Sequence, residues 1–104
     1  MEVKQGEIQV NTTPYARGLD KNEANFVALT PLSFLERAAS IYPDRTAIVH
    51  GDVRRTWDQT LTRCRQLGAA LRNAGIGPDD TVSVMAANTP ELFEAHFGVA
   101  MSGG

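Results

Sequence analysis

The chain has 104 residues, of which 42% are hydrophobic and 21% charged, and twelve acids against ten bases leave a net charge of -2. Such values fit a globular protein with room for a small core. They exclude wholesale disorder and a global positive field for nucleic acid or an anionic membrane, so neither is expected as a partner.

Residues 1–28 show neither helical nor strand periodicity and are rich in turn formers (Gly6, Asn11, Pro14, Gly18), so an irregular lead-in is expected there. Glu2, Glu7, Asp20 and Glu23, with no apolar run, argue against a secretory or mitochondrial leader. No later stretch approaches the roughly 20 apolar residues that span a bilayer. Cys64 is the single cysteine, which excludes an internal disulfide and points to a reducing compartment. A cytoplasmic location is the expectation.

From Thr30 the pattern becomes regular. Thr30 suits an N-cap and Pro31 the first helical position, and Leu32, Leu35, Ala39 and Tyr42 share one helical face before Pro43 ends it. Thr46 to Val49 and Val53 to Thr56 read as a hairpin turning at His50-Gly51-Asp52. Thr56 and Gln59 form a capping box, Trp57, Leu61, Cys64, Gly68 and Leu71 line a second helix with Leu67 beside them, and Gly75 stops it. Thr81 to Ala86 reads as a buried strand and Thr89 to about Met101 as a third helix. Its predicted apolar face is Phe93, Phe97, Ala100 and Met101, widened by Leu92 and Val99. Gly98 in mid-helix suggests close approach of another backbone. Strand, helix, then Ser102-Gly103-Gly104 is the opening of a βαβ crossover, which predicts a longer α/β protein whose return strand lies beyond Gly104.

The candidate chemistry is thin. Gly75 to Asp80 invites a phosphate-loop reading, but it follows a helix and opens a strand, lacks a third glycine and carries Asp79 and Asp80. His50 and Asp52 fall on the hairpin tip with no nucleophile at a recognisable spacing. His96 reads as an interface histidine, and no second histidine at i+4 supports a metal. Arg54, Arg55, Arg63, Arg65 and Arg72 form a basic cluster. It reads as a solvated face, the alternative being contact with phosphates or an acidic partner. Cys64 reads as core. No catalytic, cofactor-binding or metal-binding residue is therefore assigned within these 104 residues.

Three pieces carry a resemblance: Tyr42-Pro43-Asp44-Arg45-Thr46-Ala47; Arg55-Thr56-Trp57 with its helix and Gly75-Ile76; and Asp80-Thr81-Val82-Ser83-Val84 leading to Asn88-Thr89-Pro90-Glu91 and His96-Phe97-Gly98-Val99. In this order, from Leu29 to Gly104, the chain resembles the start of an adenylate-forming (AMP-binding) enzyme of the acyl-CoA synthetase, or fatty-acid–CoA ligase, branch. Ala100 and Ser102 stand where the medium-chain, short-chain and aryl-acid members have Pro and Ala, which bears on the subgroup. The resemblance implies an α/β fold ordered helix, β-hairpin, helix, strand, helix, with 29–104 as the N-terminal part of the large domain. It implies ATP, Mg2+ and CoA as cofactors of the parent enzyme, a fatty or aryl carboxylic acid as substrate, and the remainder of the same domain as the segment's partner. The family's catalytic groups would lie downstream, leaving this piece an inactive scaffold of a lipid-metabolism ligase. Two alternatives stay open: part of an amino-acid adenylation domain, or a non-enzymatic α/β interaction module.

Overall fold

A computed structural model describes Pro14, Arg17, Gly18 and residues 20–104; the rest of the expected lead-in lies outside the described residues. Within 20–29 there is no helix or strand, only an exposed turn in which the Asn22 side chain accepts from the Ala24 amide (2.8 Å) and that of Asn25 from the Asn22 amide (2.9 Å).

Helix α1 runs Pro31–Ile41. Its start is the expected Thr30 cap, completed by a residue that the sequence reading did not use. The Ser33 amide donates to Thr30 Oγ1 (3.1 Å) while the Thr30 amide donates to Ser33 Oγ (2.9 Å), so two otherwise orphaned donors are satisfied reciprocally. Leu35 and Ala39 are buried and Leu32 is half-buried, but Tyr42 is exposed. Tyr42 is the C-cap, with φ -127 and ψ 53, so the backbone has already left the helix and the 3.6-residue spacing no longer sets its direction. Its ring lies under the Arg45 guanidinium, 4.4 Å from the centroid.

Strands β1 (Thr46–His50) and β2 (Val53–Thr56) pair antiparallel around Gly51 and Asp52, with His50 opposite Val53 and Ile48 opposite Arg55. Gly51 takes φ +57, the left-handed value that two-residue hairpin turns favour. The ladder is irregular between Thr46 and Ile48, and Ile48 is the buried strand residue.

Helix α2 (Trp57–Asn73) begins with the predicted capping box. The Gln59 amide donates to Thr56 Oγ1 (3.2 Å), and the Thr56 amide to Gln59 Oε1 (2.9 Å). The next free amides, of Trp57 and Asp58, donate to the carbonyls of Arg45 and Pro43, which fastens the α2 start to the chain leaving α1. At the other end Gly75 takes φ +97. Its amide reaches the Arg72 carbonyl and the Ile76 amide the Leu71 carbonyl, both at 3.0 Å, a Schellman stop. Thr60, Leu61, Cys64 and Gly68 are buried; Thr60 was not expected inside, and its hydroxyl is satisfied by the Thr56 carbonyl at 2.8 Å. Leu35, Ala39, Leu61 and Cys64 form the core, with Trp57, Phe97 and Met101 against it.

Helix α3 (Pro90–Ser102) departs in part from its predicted face. Pro90, Glu94, Ala95, Gly98 and Ser102 are the buried positions, whereas Phe93 and Ala100 are exposed and Phe97 and Met101 are half-buried. Close packing on α2 explains the rotation. A Cβ on Gly98 would stand 2.6 Å from Leu67 Cδ2, and one on Gly68 would stand 2.9 Å from Met101 Cβ and 3.2 Å from the Gly98 carbonyl oxygen. The two helices approach through facing glycines, so small residues take the closest part of the interface, Phe97 packs beside it against the core, and Phe93, 5.3 Å from Phe97 by ring centroids, is exposed.

The α/β architecture of three helices and a hairpin is as expected, with one correction. Thr81–Ala86 belongs to no sheet; the hairpin is the only sheet among the described residues. Its composition is that of a strand, but a strand exists only through a partner's hydrogen bonds, and no described segment supplies them.

Candidate functional site

The most chemically distinctive cluster is one that the sequence did not announce. Glu94 sits on the buried face of α3, where the glycine-mediated approach of α2 brings it against two arginines. Its Oε1 accepts from Arg55 Nη1 of β2 at 2.7 Å and from Arg63 Nε of α2 at 2.6 Å. The Glu94 side chain is 6% exposed, against 19% for Arg55 and 40% for Arg63. A buried carboxylate needs such company, because desolvation of an unpaired charge costs several kcal/mol, of order 3 or more. The hydrogen bond to Glu94 holds the Arg63 pKa above its ordinary value, against the opposing effect of burial. With one oxygen held by two permanent cations, the group is a charge clamp joining hairpin, α2 and α3.

This answers the question posed by the arginine cluster. Arg55 and Arg63 serve Glu94. Arg54 donates to the Gly51 and Val53 carbonyls of the hairpin turn. Arg72 donates to the Met101 carbonyl at 2.7 Å, so it caps the C-terminal end of α3 in addition to lying near the end of its own helix. Arg65 lies 3.9 Å from Glu36 in an exposed pair. The cluster is therefore internal wiring in part, a role that neither a solvated face nor a phosphate contact described. A single acid four residues before the helix glycine was the available signal for Glu94.

The remaining candidates stay apart. The glycine loop makes a closed turn: the Asp80 amide donates to the Gly77 carbonyl (3.1 Å), and the Gly77 amide to Asp80 Oδ2 (2.8 Å). An amide already donated to a carboxylate does not cradle phosphate. His50 and Asp52 are exposed at the hairpin turn. His96 is exposed, with Nδ1 2.8 Å from the Leu92 carbonyl, so the ring proton on that nitrogen is held within the helix. Cys64 is fully buried, and burial pushes its thiol up to about 11, against thiolate chemistry. Glu91, in the first turn of α3, has its pKa lowered by its own backbone amide and then by the Thr89 hydroxyl. Thr89 makes no side-chain cap hydrogen bond to the start of α3.

Among the described residues no three His, Cys, Asp or Glu side chains gather in a way that would hold a metal. The Gly77 amide and Arg54, Arg55, Arg63 and Arg72 are engaged with groups of the chain itself, so these are not offered to a phosphate. No described helix is long and apolar enough to cross a membrane.

Two open grooves border residues 81–86. They share Val82, Val84, Ala95 and Val99 as floor. One, of about 340 Å³, continues to Leu92, His96 and Ala100; the other, of about 510 Å³, to Gln66, Leu67 and Leu71 and to the charged Arg63, Glu91 and Glu94.

The arrangement is that of an α/β subdomain with an internal charge clamp, and the family is settled by comparison. The AMP-binding enzyme family matches residues 35–104, and the chain belongs to it, on the acyl-CoA synthetase branch. Its relatives include an acetate–CoA ligase of Humulus lupulus, 56% identical over 85 residues, which are 82% of this chain and 15% of that protein. A peroxisomal acetate/butyrate–CoA ligase of Arabidopsis thaliana is 52% identical with the same coverage. A peroxisomal benzoate–CoA ligase of Arabidopsis thaliana is 54% identical over 81 residues, 78% of this chain and 14% of that protein. The chain thus spans about 15% of the length of these relatives. No solved structure matches it.

The relatives correct the expected location. Several are peroxisomal, which conflicts with a cytoplasmic assignment. The cytoplasmic reading rested on a lone cysteine and on acidic residues and the want of long apolar runs in the sequence, and these do not separate two compartments that both house folded, reduced enzymes. Peroxisomal import is read from a short address signal such as a C-terminal Ser-Lys-Leu, which fold chemistry does not encode.

Proposed function

We propose that this chain is the N-terminal part of an ATP-dependent acid–thiol ligase that converts a carboxylic acid, ATP and CoA to an acyl-CoA, AMP and pyrophosphate. The observation that carries the reading is the family match over 35–104 together with CoA ligases about half identical across four-fifths of the chain. The named relatives act on acetate, butyrate and benzoate, so a short-chain or aryl acid is the favoured substrate, in place of a long-chain fatty acid. On this reading residues 29–104 are one flank of the large domain. The Glu94 clamp sets the angle between hairpin and helices, and the groups that meet ATP, Mg2+, CoA and the acid belong to the rest of the polypeptide. The 104 residues alone bind no ATP and turn over nothing.

The test is a chimera in which this chain replaces the corresponding N-terminal residues of the Humulus lupulus ligase. Pyrophosphate release and thioester formation are followed with acetate, butyrate, benzoate and a long-chain acid. Acyl-CoA formation within about tenfold of the natural ligase, strongest with the short or aryl acids, is expected. A soluble, folded chimera inactive with every acid overturns the reading, as does saturable ATP binding by the 104 residues alone.

A further inference from the structure

We draw no further inference here: the strongest candidate, the groove of about 510 Å³ between α2, α3 and residues 81–86, has its one arginine bonded to its own Glu94, and nothing in the structure shows what covers it.

Discussion

The two halves of α3's surroundings differ in how completely they are satisfied. On the side of α1, the hairpin and α2, helix starts carry reciprocal caps, α2 ends in a closed Schellman turn, and Glu94 is paired twice. On the side of residues 81–86, the backbone has no hydrogen-bond partner among the described residues and Met85 is fully exposed. The first region is held by bonds between residues close in sequence or on facing helices already present. The second has strand chemistry without a sheet. Local signals suffice to build one; the other needs long-range pairing.

The largest effect expected from this contrast concerns Cys64. With its thiol buried and pushed up to about 11, alkylation by iodoacetamide at pH 8 should be about a hundredfold slower in the folded chain than in urea. Reaction at the rate of an unfolded cysteine would show that the first region is not closed. Next comes Glu94→Ala, which strands Arg55 and Arg63. A loss of about 2–3 kcal/mol is expected from urea unfolding, below the roughly 3–5 for a fully buried pair because Arg63 is 40% exposed. Met85→Ala should fall within about 0.5 kcal/mol of the parent, since in this chain it touches little. Equal effects at Glu94 and Met85 would erase the distinction between the regions.

How much of this was legible follows from the range of each interaction. Thr30, Thr56 and Gly75 act within five residues of themselves, and each performs the role its neighbours implied. The face of α3 was legible in part: Phe97 and Met101 pack against the core as apolar periodicity suggests, whereas Phe93 and Ala100 are exposed because the surface buried most deeply is chosen by how closely α2 approaches. Gly98 was the clue to that approach, but the partner it meets is the Leu67 side chain, with backbone contact made at Gly68. The Glu94 clamp links residues 31 and 39 positions apart, a distance at which charge in a single sequence carries no pairing information. The assignment of no site residue is a proposal that only the larger polypeptide can test.

Gly98→Ala sharpens the comparison from inside the closed region. Alanine improves helix propensity by about 1 kcal/mol, but its methyl would stand 2.6 Å from Leu67 Cδ2, and overpacking of that kind costs about 1–3. A net loss of about 1 kcal/mol in urea unfolding is expected. Leu67→Ala in the same chain removes the clash, so the double variant should lose less than the sum of the singles. Strict additivity would mean that the helices are not in contact there.

A small effect of the opposite sign belongs to the turn that leads into the open region. Asp79 takes φ +69 in the turn from Gly77 to Asp80, the left-handed region that a type II turn demands at its third residue and that glycine fills without strain. Pro78 already fixes the preceding position, and Asp80 closes the turn through the Gly77 amide. Relief of a strain of about 1–2 kcal/mol in Asp79→Gly is partly offset by the about 0.4–1 that a freer unfolded chain regains, leaving a gain near 0.5. A rise in unfolding free energy of this size would mean the turn folds with the core and holds the start of residues 81–86 in a fixed direction. An unchanged free energy would place the turn outside the cooperative unit, and the boundary between the two regions would then fall at Gly75, where α2 stops.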